Sequence, residues 1–173
     1  MRIRFAVTAG LLFAAGPSLA ATATAEQRAD LIAVRDQMVA AIQPCDQKIG
    51  DLTESLENLR VGKAGTTATL ARGVADEADR VCGLSGSAFS TMRIPTSVDA
   101  AVQAKIRTAG QKWVTAMSAR RRAVSVARDY LQKSDKATGQ LYLKRLEAAQ
   151  AQVAEGAELL KSAGKDAGVD LMK

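Results

Sequence analysis

The chain has 173 residues, with 24 Lys+Arg against 18 Asp+Glu, no histidine, two cysteines and 3% aromatic residues. Without histidine it cannot hold a Ser-His-Asp triad, an imidazole metal site or the Glu-x-x-His pairs of a di-iron bundle. Two cysteines are too few for a four-cysteine zinc or iron–sulfur site, and no cofactor or metal is expected.

The first twenty residues read as a secretory signal. Arg2 and Arg4 give a positive start, Phe5 to Ala15 is an apolar run of eleven residues, and Ser18 and Ala20 occupy the −3 and −1 positions of a small-residue cleavage site. A membrane span needs roughly 20 apolar residues, so a cleaved signal over 1–20 is expected, an uncleaved anchor being the alternative. Ala21 then begins a single domain over 21–173, with 22 basic against 18 acidic residues. No later apolar run approaches spanning length. The expected location is a periplasm or the cell exterior.

Helical periodicity follows. Leu31, Val34, Met38, Ile42, Cys45, Ile49, Leu52, Leu56 and Leu59 recur at steps of three and four, which draws one apolar seam along a helix over 25–61. Thr24 and Gln27 have the spacing of a capping box, and Gly62 stands where a C′ glycine ends a helix. Pro44 lies within the run, but the seam keeps its phase across it. One kinked helix is the expectation, two helices meeting at Pro44 the alternative.

A second helix starts at Thr66 or Thr67, carries Leu70, Ala71, Val74, Ala75, Ala78, Val81 and Cys82, and should stop at Gly83. Gly83, Gly86, several Ser and Thr and Pro95 mark 83–95 as a loop, with Phe89, Met92 and Ile94 as packing anchors. Thr96, with Asp99 three residues on, should open a third helix. Its apolar face has three heptad columns: Val102, Ala109, Ala116, Ala123; Ile106, Trp113, Arg120, Ala127; and Gly110, Met117, Val124, Leu131. That breadth suits a bundle helix rather than a two-stranded seam. Ser134-Asp135 and Thr138-Gly139 suggest a break before a fourth helix, whose inner face has Tyr142, Leu146, Ala149, Val153 and Leu160 and which ends at Gly164 and Gly168. Without that break the last two helices form one rod. The expected fold is all-α, an antiparallel three- or four-helix bundle.

Cys45 and Cys82 stand about equally far from the turn between the first two helices, each on its helix's inner stripe. In an oxidising compartment such a pair bridges, so a Cys45–Cys82 disulfide should staple an N-terminal helical hairpin. It lacks the C-x-x-C spacing of a redox dithiol.

Charge is unevenly divided. Residues 21–90 hold 7 basic and 10 acidic side chains, whereas 91–173 hold 15 and 8. Arg107, Arg121 and Arg128 share a heptad column, and Arg120 lies one heptad after Trp113 in a column facing the core. These four arginines are the candidate anion-binding residues; the alternative is that the basic half pairs with the acidic hairpin of the same molecule. A charge at 120 needs an acidic partner or a route to water, and Glu54, Glu57, Asp76 and Asp79 are candidates. With Phe89, Trp113, Tyr130 and Tyr142 the only aromatics after the signal, specific nucleic-acid recognition is not expected.

Ser162-Ala163-Gly164-Lys165 matches S-x-x-K without a K-T-G or S-D-N companion, in a glycine-rich tail expected to fray. Asp76, Glu77 and Asp79 lack the spacing of a calcium loop. No catalytic constellation emerges. Thr24-Ala25-Glu26-Gln27-Arg28 resembles the T-x-x-Q core of the L-T-x-x-Q motif in Spy-like periplasmic chaperones, small helical proteins that cradle unfolded clients. Ala23 replaces the leading leucine, and Leu52-Thr53-Glu54-Ser55-Leu56 begins like a second copy without the glutamine. The functional expectation is an exported, non-enzymatic helical protein that binds another envelope protein or an anionic envelope polymer. The alternative is a chaperone or carrier holding an apolar or anionic ligand between helices, which a cavity beside Trp113 and Arg120 would favour.

Overall fold

Thr24 and Gln27 cap the first helix from both directions. The Thr24 hydroxyl accepts the Gln27 backbone N–H at 3.2 Å, and the Gln27 side chain accepts the Thr24 N–H at 2.9 Å. In the computed structural model, which describes residues 23–172, this cap starts the first of four helices: α1 (Ala25–Arg60), α2 (Ala68–Thr91), α3 (Ala100–Lys133) and α4 (Lys136–Asp166). The described residues contain no strand, and the four helices form a bundle. The expected secretory signal, 1–20, and the mature start at Ala21 lie outside the described residues.

α1 runs unbroken through Pro44, which disposes of two helices meeting there. It ends in a Schellman motif: Lys63 N–H donates to Asn58 O, Gly62 N–H donates to Leu59 O, and Gly62 takes φ +68°. The same device closes α4. Val169 N–H donates to Gly164 O, Gly168 N–H donates to Lys165 O, and Gly168 has φ +67°. Gly168 is therefore the terminator, whereas Gly164 is a helical residue buried beneath Leu171. The tail does not fray; Val169 and Leu171 are part of the core.

Two other boundaries differ from expectation. α2 does not stop at Gly83 but continues to Thr91. Gly83 lies against the Arg121 side chain and Gly86 against Met117, so their lack of a Cβ serves close packing with α3. The hydroxyls of Ser87, Ser90 and Thr91 donate back to carbonyls four residues earlier, which satisfies them within the helix. α3 opens at Asp99–Ala100 instead of Thr96. Residues 97 and 98 are held elsewhere: Ser97 O accepts from Gln27, Ser97 Oγ donates to Asp30, and Val98 is buried. The break before α4 is real. Ser134 adopts a left-handed conformation and Asp135 caps α4 by accepting the Thr138 N–H, so α3 and α4 are separate helices.

α1 packs chiefly on α2, α2 on α3 and α3 on α4. Cys45 and Cys82 form a disulfide, fully buried, with their Cα atoms 4.7 Å apart. Closing a loop of this length contributes about 4 kcal/mol on the chain-entropy account. The three columns of α3 are buried, apart from a half-buried Gly110. On α2, Leu70 is exposed and the inward face is Ala71, Ala75 and Ala78, followed by Cys82, Ser85 and Phe89.

The most extensive helix contact joins α3 to α4. Trp113 donates its indole N–H to Val153 O at 2.9 Å, and its ring covers Gly156 where a Cβ would lie 2.8 Å from Cδ1. Gly73 on α2 has open space at the same position. Gly156→Ala should therefore lower stability by about 1–3 kcal/mol through overpacking. Gly73→Ala should raise it by about 0.5–1 kcal/mol through propensity alone. Urea unfolding of the two variants measures both.

Candidate functional site

Arg120, one turn beyond Met117 on α3, is 4% exposed and is the centre of the molecule's buried polar chemistry. Its guanidinium pairs with Asp46 of α1 and donates to Gln150 Oε1 of α4 at 3.3 Å. The other terminal nitrogen lies 3.7 Å from Cys45 Sγ, within the disulfide. None of Glu54, Glu57, Asp76 or Asp79 is its partner. Asp46 was not among the candidates because the register of α3 against α1 is set by tertiary packing. Its place next to Cys45 was the only available hint. Asp46 is itself half exposed, so the pair reaches water at one end. Among the described residues no buried side-chain nitrogen or oxygen lacks a partner.

Arg121 and Arg128 turn toward α2. Arg121 Nε donates to Asp79 at 2.7 Å, and Arg128 donates to Asp76 at 3.0 Å and to Asp79 at 3.5 Å. One acidic turn of α2 thus neutralises two of the four candidate arginines, and Asp46 neutralises a third. The Arg121 hydrogen bond holds the Asp79 carboxyl below its ordinary 3.8; burial opposes it, and the charges of Arg121 and Arg128 add smaller lowering effects. Arg107 differs. It is exposed and forms no ion pair among the described residues.

Two cavities flank the aromatic pair Phe89–Trp113, whose ring centroids are 5.4 Å apart. The first, about 390 Å³, lies between α1 and α4 and is walled by Trp113, Ile42, Val39, Val153, Leu160 and Leu171, with Asp46 at its edge. The second, about 570 Å³, lies between α2, α3 and the 92–94 segment. Its walls are Met38, Phe89, Met92, Ile94, Ile106 and Val114, and Arg107 and Gln111 also line it. Both volumes fall in the range of small-molecule sites. Met38, Met92 and Gln111 were not legible as site residues, because the sequence shows only that Met38 is core and 92 is a non-helical anchor.

Ser162 accepts from Lys105, at 2.8 Å, and Lys105 also pairs with Asp166. Lys105, rather than Lys165, is the amine facing this serine, and its ammonium is engaged as a donor. Among the described residues there is no group of three or more His, Cys, Asp or Glu placed to hold a metal ion, and no helix long and apolar enough to cross a membrane. Comparison with protein-family models, with curated proteins and with solved structures finds no match to this chain.

Two outcomes follow from the arginine partners. Asp46→Ala strands a buried guanidinium and should cost about 2 kcal/mol, less than a fully buried pair because Asp46 is half exposed; adding Arg120→Met should restore most of that loss, as denaturant midpoints would show. Because the folded-state pKa of Asp79 is depressed, its contribution is present above the unfolded carboxylate range and fades as pH falls below about 4. Asp79→Asn should flatten the acid limb of a plot of melting temperature against pH.

Proposed function

We propose that this chain is an exported, non-enzymatic binding protein that carries an apolar ligand between the helices of an antiparallel, disulfide-stapled four-helix bundle. The antiparallel arrangement is supported by the run of contacts. As residue number rises along α3 its partner on α4 falls, from Lys105 with Asp166 through Lys112 with Glu155 to Arg120 with Gln150. Across α2 and α3, Phe89 meets Trp113, Gly86 meets Met117 and Asp76 meets Arg128 in the same sense. Export is supported by the charged, apolar and small-residue sections of 1–20 and by the disulfide.

The observation that carries the reading is the pair of cavities on either side of Phe89 and Trp113, both walled mostly by apolar side chains. The smaller, edged by Asp46, the partner of Arg120, lies on the seam between α1 and α4, the most thinly packed side of the bundle. Bundle interiors between helices are a common place for such ligands. The competing reading is a surface for an acidic envelope polymer or protein. It loses three of its four arginines to internal partners, but retains Arg122, Lys133, Lys136, Lys144 and Arg145, exposed and without ion pairs among the described residues.

Trp113 is the chain's single tryptophan; it lines the smaller cavity and packs on Phe89, which lines the larger, so it is within energy-transfer range of a probe in either. Titration with the neutral probe N-phenyl-1-naphthylamine should give saturable energy transfer from Trp113 at one or two probes per chain, insensitive to salt. Absence of saturable transfer, together with salt-sensitive binding to an anionic polysaccharide, would replace this reading with the polymer-binding one.

A further inference from the structure

We infer that the larger cavity, between α2, α3 and the 92–94 segment, binds a single-chain anionic amphiphile, its aliphatic tail among Met38, Phe89, Met92 and Ile106 and its carboxylate or phosphate head on Arg107 and Gln111. The inference rests on the ligand-carrying reading and names the ligand class and the cavity. Arg107 and Gln111 are one turn apart on α3, so both project from the same side of the helix, and both line this cavity. Neither side chain has an internal hydrogen-bond or ion-pair partner among the described residues. No acidic residue lines the cavity, whereas Arg93, also exposed and unpaired, lies in the segment that borders it.

The other cavity makes the contrast. There Arg35 pairs with Asp36, and Asp46 pairs with Arg120, so its charges are already balanced. Three of the candidate arginines are used to hold helices together; Arg107 is placed beside apolar space with its donors free. Two methionines and a phenylalanine suit a flexible hydrocarbon, since thioether side chains adapt to tails of different shape. Gly110 lies on this wall, and a Cβ added there would meet only the end of Met38, at 3.9 Å. The glycine leaves room that a larger side chain would take.

The test is calorimetric titration of the disulfide-intact protein, secreted from its full-length precursor and freed of bound lipid. Octanoate, decanoate, dodecanoate, decyl phosphate and decanol are added below their micellar concentrations. Affinity should rise about three- to fourfold per added methylene until the cavity is filled. Arg107→Gln should weaken decanoate or decyl phosphate about tenfold and leave decanol unchanged, while Arg107→Lys retains most of the anion preference. Gly110→Phe should abolish binding of every chain; should it fail to fold, Thr115→Trp, at an exposed position on the same cavity, serves instead. Decanol binding as tightly as decanoate, with no effect of Arg107→Gln, would overturn the anionic assignment and leave the apolar-ligand reading standing. Loss of binding in Ala157→Phe but not Gly110→Phe would overturn the placement, moving the ligand to the cavity at Trp113. If no chain binds at all, both readings fall.

Discussion

The structure depends on Arg120. A guanidinium in a column of otherwise apolar residues requires compensation, and its three directions of donation reach Asp46 on α1, Gln150 on α4 and the disulfide sulfur of Cys45. α1 packs mainly on α2 and touches the rest of the bundle sparingly. Its middle is held by two specific links adjacent in sequence at 45 and 46, the Cys45–Cys82 bond to α2 and the Asp46–Arg120 pair to α3. Apolar packing is undirected and would tolerate a one-turn slip of α1. A covalent bond beside a directional ion pair does not. The polar cost at the centre of the bundle is exchanged for register.

Register in turn determines where space remains. Each helix packs against its chain neighbour, so the seam between α1 and α4 closes least tightly. It is joined by such links as Thr53 with Tyr142, and Ala23 with Ala167. Thr53 already donates its hydroxyl to Ile49 O, so Tyr142 is the donor in their contact. Trp113 fills the middle of the bundle by pressing on Gly156, and the room on either side of the Phe89–Trp113 pair becomes the two cavities. A larger residue at 156 would displace the ring from this dividing position. The ligand-carrying proposal therefore follows from how small residues are distributed among the helices, not from any catalytic group.

Much of this was legible in the sequence. α1 and α3 announce themselves because their apolar columns continue for many turns, and the disulfide because both cysteines fall on inner stripes equidistant from one turn. The end of α2 was not legible: Gly83, Gly86 and the following serines have turn-forming composition, and only the side chains of Arg121 and Met117 packed over them make helix the better state there. The start of α3 failed for the related reason that Gln27 and Asp30 of α1 hold Ser97 out of helical geometry. Local propensity lost to contacts some seventy residues away. Among the candidate arginines, heptad spacing placed Arg121 and Arg128 together correctly, but it could not reveal that Asp76 and Asp79 would occupy them. Nor could it reveal that Arg107, in the same column, would be left free beside a cavity formed by three separate stretches of chain.

The most direct test of the central claim, that this bundle is exported, stapled and carries a ligand, is native mass spectrometry of the protein secreted from its natural full-length precursor and purified without detergent. The account predicts a chain beginning at Ala21, about 2 Da lighter than its reduced form, with one retained adduct of the mass of a single-chain amphiphile that is released on unfolding. A bare chain that stays bare after incubation with a whole lipid extract, or a discrete oligomer without adduct, would contradict it.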